Sequence, residues 1–177
     1  MAAPSVGLLV NPAAGRDVRR LTGGATVSDT YGKRRAAECV LAGVDLAEDP
    51  VDILVAPDGG EIGQRTVAEA DRSDVRLLDT PVDDTSADTR RAAEAFRERV
   101  DAVVVFGGDG TTRDLAVEIG DVPVLAVSTG TNNVVPTPVD GTVAGAAAAF
   151  LATDAVDPEA VTYRHTMMEA TVDDGRS

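Results

Sequence analysis

An apolar run, Val103-Val104-Val105-Phe106, that breaks at Gly107-Gly108 and resumes as Asp109-Gly110-Thr111-Thr112-Arg113-Asp114 constrains this chain more than any other stretch. A short β-branched run of this kind reads as a strand buried on both faces, the pattern of a parallel sheet. The polar residues that follow resume as a helix near Thr111. Strand, glycine turn and helix N-terminus together make an anion site. The turn's N–H groups and the helix's unpaired N–H groups converge on one spot, where the dipole is positive. Glycine lets the backbone touch a phosphate because no Cβ intervenes. Asp109 repels bound phosphates unless a cation or a hydroxyl lies between. The stretch therefore points to phosphoryl transfer, with Asp109 either holding Mg²⁺ or taking a hydroxyl proton.

The rest of the chain repeats the strand-then-helix rhythm. Val6 to Val10 reads as a first strand ending at the turn Asn11-Pro12-Ala13-Ala14-Gly15, and Arg16 to Asp29 as a loop. Thr30 to Leu41 suits a helix with Ala36, Ala37 and Val40 inward, closed by Gly43. Val51 to Val55, Val75 to Leu78, Ala102 to Phe106 and Val122 to Val127 are further strands. Between them, Glu61 to Ala70, a helix capped by Asp84 or Thr85 and running to about Arg99, and Thr111 to Ile119 are helical. Thr142 to Ala152 is an alanine-rich helix, and Met168, Ala170 and Val172 alternate like the start of another strand. The fold class expected is α/β, an open, mostly parallel sheet with flanking helices. Three loops then share the rim beyond the strand C-termini, where such sheets bind ligands: 11–15, 107–111 and 129–133.

Composition narrows the function classes. Apolar residues reach 44% but aromatics only 3%, so the core is built from Val, Ala and Leu. The net charge is −14, and of sixteen basic residues only Lys33 is a lysine. Duplex nucleic acid is a poor partner for such a surface. Acidity with Arg in place of Lys fits a salt-accumulating halophile, where high ionic strength screens self-repulsion; GC-rich codon usage is the alternative. No apolar run reaches membrane-spanning length and no signal segment opens the chain, so a cytoplasmic protein is expected. The sequence leaves homo-oligomerisation open. Cys39 reads as a buried helical thiol, and His165 as a structural or surface residue.

Several chemistries lose support. The chain has neither a Walker A motif nor Gly-x-Gly-x-x-Gly, and no Gly-x-Ser-x-Gly elbow. One Cys and one His make a zinc site improbable. Gly107-Gly108-Asp109-Gly110-Thr111 resembles the signature of the superfamily joining NAD kinases, diacylglycerol-type lipid kinases and phosphofructokinases. Asn11-Pro12 with Gly15 is similar to the opening motif of the first two branches. Pro57-Asp58-Gly59-Gly60-Glu61-Ile62-Gly63, Thr85-Ser86-Ala87-Asp88-Thr89-Arg90 and Thr112-Arg113-Asp114 resemble the ATP-NAD kinase-like proteins related to the AcoX family. The loop Ser128 to Asn133 instead looks closer to the Gly-Thr-x-Asn-Asp of lipid kinases, and Arg16 to Arg20 lacks the glycines common in the family.

Residue types and resemblance together set the expectations. Gly107, Gly108 and Gly110, with the Thr111 hydroxyl, cradle the donor's phosphates. Asn11 donates its amide to a phosphate or ribose oxygen, or serves only an Asx turn. Thr131 and Asn132 add hydrogen-bonding side chains at the neighbouring rim, and Arg113 and Asp114 pair behind the site. The resemblance implies transfer from ATP or polyphosphate, with Mg²⁺, to the 2′-hydroxyl of NAD. The alternatives are a lipid or other small-alcohol kinase and a nucleotide-binding module without turnover. It also implies a nucleotide-binding domain over 1–153, a linker over 154–165, and at 166–177 the beginning of a β-rich second domain, the expected place of an acceptor-binding Asn-Glu motif.

Overall fold

A computed structural model of the chain describes residues 3–14, 30–129 and 133–168. Five strands, β1 (Ser5–Val10), β2 (Asp52–Val55), β3 (Val75–Leu77), β4 (Ala102–Gly107) and β5 (Val124–Ser128), form one sheet in the order β3-β2-β1-β4-β5. Every pairing is parallel. The two strands with parallel neighbours on both sides at the centre, β1 and β4, are buried at every position, so they read as continuous apolar runs rather than alternating ones.

Helices cover both faces. On one, α1 (Thr30–Val44), α2 (Ile62–Glu69) and α5 (Gly141–Ala152) enclose Val6, Leu8, Ile53, Val104, Ala144 and Ala148. On the other, α3 (Ser86–Arg97) and α4 (Asp109–Ala116) cover Leu9, Val103, Val105, Phe96 and Leu115. With so few aromatics, the first core closes by bringing backbones together. A Cβ on Gly43 would stand 2.1 Å from the Thr142 carbonyl oxygen, and one on Gly145 2.1 Å from that of Val40. Gly43 is therefore not the end of its helix. It lies inside α1, which runs on to Val44, and serves the contact with α5.

Other boundaries shift for identifiable reasons. Helix α4 begins at Asp109, not Thr111, because Gly108 caps it and the Thr112 N–H already bonds the Gly108 carbonyl at 3.0 Å. Thr85, not Asp84, caps α3: its hydroxyl accepts from the Ala87 N–H at 3.2 Å while Asp88 accepts from the Thr85 N–H at 3.3 Å, a reciprocal box. The stretch expected as a linker contains a short helix, α6 (Pro158–Val161), capped by Asp157. The 16–29 loop and the alternation at Ala170 and Val172 lie outside the described residues. Among the described residues, no helix is long and apolar enough to cross a membrane.

Candidate active site

The strand order reverses direction between β1 and β4. The chain works outward from β1 through β2 to β3, then returns to lay β4 on the other side. Loops leaving adjacent strands toward opposite faces open a crevice at that point. Here the loops are 11–14 after β1 and the Gly107-Gly108 turn after β4. A cleft of about 650 Å³ lies on this rim, walled by both loops, by the 57–60 loop after β2 and by the start of α3.

The two central loops are stitched together. The Asn11 N–H donates to the Phe106 carbonyl at 2.9 Å, and its side-chain amide donates to the Thr111 hydroxyl at 2.8 Å. Asn11 Oδ1 accepts from the Ala13 N–H at 2.8 Å, an Asx turn. Asn11 thus makes the expected Asx turn, and its side-chain amide is directed to Thr111. Lys33, on α1, completes the loop from beneath. Its buried ammonium donates to the carbonyls of Asn11, Pro12 and Ala14 at 3.1, 2.7 and 2.6 Å.

The signature's glycines have three different causes. A Cβ on Gly107 would stand 2.5 Å from Thr111 Cβ, so that glycine lets the helix start close to its strand. A Cβ on Gly108 would meet Asn133 Oδ1 at 3.1 Å. One on Gly110 would meet nothing within 4 Å among the described residues, and Gly110 lines the cleft. Asp109 behaves differently from its neighbours. Its carboxylate accepts from the Val134 N–H at 2.9 and 3.0 Å and from the Val135 N–H at 2.9 Å, fastening the segment after β5 to the glycine turn. It does not appear in the cleft wall, which Gly108, Gly110, Thr111 and Asp114 form from this side.

The far wall is acidic. Asp58 is buried, and its carboxylate accepts from the N–H groups of Gly60 at 2.8 Å and Gly63 at 2.7 Å. Burial pushes the Asp58 carboxyl above the ordinary carboxylate range, against the pull of the Gly63, Ile62 and Gly60 N–H groups, and the charge of Asp84 adds to it. A Cβ on Gly59 would collide with Asp84 Oδ1 at 1.6 Å, so this glycine is what lets Asp84 lie against the loop. Glu61 and Asp84 hold left-handed backbone angles, φ 57° and 58°, uncommon for residues with a Cβ. Asp88 completes this wall, and among the described residues no Lys, Arg or His lines the cleft.

Asp114 is 6% exposed although it lines the cleft. Its Oδ1 accepts from Arg113 Nη2 at 3.0 Å, the pair expected from sequence, and from Arg90 Nη2 of α3 at 3.3 Å. The Thr85–Arg90 and Thr112–Asp114 motifs therefore converge on one carboxylate. Thr131 and Asn132 lie outside the described residues; beside them, Asn133 donates to the Ser128 hydroxyl at 2.6 Å and reaches the cleft. His165 is exposed and edge-on to Tyr163, and Cys39 is half-buried on α1. Sequence reasoning missed Lys33, Asp58 and Asp84. Lys33 did carry a signal, as the sole lysine in an arginine-rich chain.

Among the described residues, no three His, Cys, Asp or Glu side chains are placed to hold a metal ion together. Mg²⁺ does not require such a cage, since it commonly binds one or two carboxylates with substrate phosphates. Carboxylates lining a cleft beside the glycine turn are compatible with it.

Known proteins share this pattern. The family described as ATP-NAD kinase N-terminal domain matches residues 6–155. Acetoin catabolism protein X of Cupriavidus necator is 32% identical over 98% of this chain and 50% of its own length. An uncharacterized protein of Archaeoglobus fulgidus is 34% identical over 49% of this chain and 29% of its own. The chain thus spans half or less of the curated relatives it matches. No solved structure matches. The family match begins in β1 and takes in every strand and loop that builds the cleft, and the chain belongs to the ATP-NAD kinase family.

Proposed function

We propose that the protein to which this chain belongs transfers a phosphoryl group from ATP or polyphosphate to the 2′-hydroxyl of NAD. The observation that carries this reading is Gly110. Among the described residues nothing fills the space where its side chain would stand, and glycine is a poor helix former. A glycine without a structural cause, in the first turn of a helix at a topological switch point, fits a backbone that a phosphate approaches closely. Gly107 and Gly108 shape the turn, and the Asn11–Thr111 bond keeps the two loops at a fixed spacing.

The acidic wall adds a condition. A free polyphosphate entering among Asp58, Asp84, Asp88 and Asp114 is repelled, so the donor enters as its Mg²⁺ complex. The bound ion neutralises charge on the transferring group. The same wall favours a second reading, in which the acceptor is an uncharged alcohol rather than a dinucleotide.

The test uses full-length protein at low and at molar salt, offering NAD, diacylglycerol, sphingoid bases and sugars with Mg²⁺-ATP or polyphosphate. NADP formation is the expected result. ADP release with another alcohol and none with NAD transfers the function to that alcohol. Tight Mg²⁺-ATP binding without turnover on any acceptor rejects the phosphotransferase reading and leaves a nucleotide-binding module.

A further inference from the structure

Lys33, the one lysine of the chain, is 2% exposed, the most deeply buried charged residue among those described. Burying an ammonium is costly unless its donors are met. Helix α1 closes on the sheet through Ala37, Val40, Leu41 and Val44, so the core has no need of it. The ammonium serves the loop after β1 instead, donating to the carbonyls of Asn11, Pro12 and Ala14 at 3.1, 2.7 and 2.6 Å. A compact ammonium can reach three carbonyls that converge on one point, whereas the planar fork of a guanidinium cannot. That accounts for a lysine at this single place in an arginine-rich chain.

The loop that Lys33 holds touches both other walls of the cleft. On the β4 side Asn11 bonds the Phe106 carbonyl and the Thr111 hydroxyl. On the β2 side Pro12 lies so close that a Cβ on Gly60 would stand 2.8 Å from the Pro12 Cβ. Asn11, Pro12, Ala13 and Ala14 line the cleft, and Lys33 stands behind them. We propose that Lys33 is a positioning residue for the phosphate donor; this rests on the phosphotransferase reading above. From behind the wall it fixes the 11–14 loop, and through Asn11 it fixes Thr111 beside the glycine turn. With one lone pair of the Thr111 hydroxyl taken by the Asn11 amide, its O–H is the part left for a phosphate oxygen.

The experiment uses full-length protein with Mg²⁺-ATP or Mg²⁺-polyphosphate, whichever donor the parent takes. Donor affinity is read by calorimetry, kcat and KM in steady state, and melting alongside. Lys33→Met and Lys33→Arg are each expected to weaken donor binding roughly tenfold at a temperature where they are folded, and to raise the donor KM more than they lower kcat. Arginine keeps the charge, so an equal loss assigns the effect to geometry. The control is Val100→Ala, a core change just ahead of β4, at the end of that strand away from the cleft. It is expected to melt earlier and keep the parent's affinity. A double-mutant cycle gives the readout that a merely structural role would not move. Asn11→Ala with Lys33→Met is expected to bind the donor no worse than Asn11→Ala alone, since Lys33 acts through Asn11. Parent-like affinity in a folded Lys33 variant, or losses that add in the cycle, overturns the proposal. Where neither Lys33 variant folds, the nitrogen-15 resonance of the Lys33 ammonium in the parent decides: it is expected to shift on saturation with donor, and an unmoved resonance overturns the proposal. A parent that binds donor and phosphorylates no acceptor overturns only the phosphotransferase reading, because the affinity comparisons still score Lys33.

Discussion

Gly110 and Lys33 show how much a single position decides here. Replacing Gly110 by Ala adds a methyl to open space and improves helix propensity, so unfolding free energy should rise by about 0.5–1 kcal/mol in urea denaturation. Mg²⁺-ATP affinity should fall by roughly tenfold in calorimetry, equivalent to about 1.4 kcal/mol. Stabilisation with unchanged affinity would remove Gly110 from the phosphate site. Lys33→Met leaves three loop carbonyls without their shared donor and should cost about 1–3 kcal/mol, read from the same denaturation curve. Asp58 supplies a pH test. Its folded-state pKa lies above the unfolded value, so the folded protein takes up this proton first as pH falls. That group's contribution to stability therefore grows as pH drops from above the raised value toward the ordinary 3.8. Carbon-13 NMR of the side-chain carboxyls should show Asp58 titrating above the ordinary carboxylate range.

At the scale of elements, the α1–α5 contact reverses the usual sign of a glycine substitution. Gly145→Ala would improve helix propensity, but its Cβ meets the Val40 carbonyl oxygen at 2.1 Å. The helices must separate, and the variant should lose about 1–3 kcal/mol in chemical denaturation. Stability equal to the parent would show that the interface opens without cost. The same Gly→Ala change is thus expected to stabilise at 110 and destabilise at 145. Sequence alone distinguishes neither, because both glycines sit in helices and only the neighbouring element differs. The same cause hid the place of Gly43: near the end of a helical pattern it reads as a stop, and only the carbonyl of Thr142 shows it to be a contact.

Across the whole molecule, thirty acidic residues oppose sixteen basic ones. The Debye length falls from about 10 Å at 0.1 M salt to about 3 Å at 1 M, so self-repulsion is screened before local pairs such as Arg72–Asp74 are lost. The melting temperature should rise between 0.1 and about 2 M KCl. A flat or falling response would mean the acidity carries no adaptation to salt and reflects composition alone.

The layout of the fold was legible because its determinants are local. Central strands of a parallel sheet are apolar throughout, as Val103 to Phe106 are, and glycine turns followed by cappable polar runs mark where helices begin. Those patterns were enough to bring the loops after β1 and β4 to one rim, where the cleft lies. What the residues on that rim do was decided only by tertiary structure. Asp109 and Asp114 are carboxylates of the same helix, and nothing in their own stretch says which faces the cleft. The choice is made by partners far along the chain: the Val134 and Val135 N–H groups take Asp109, while Arg90 bonds Asp114, which lines the cleft. Hydrogen bonds between residues more than twenty positions apart leave no period in a sequence, so they become visible only once the loops are assembled.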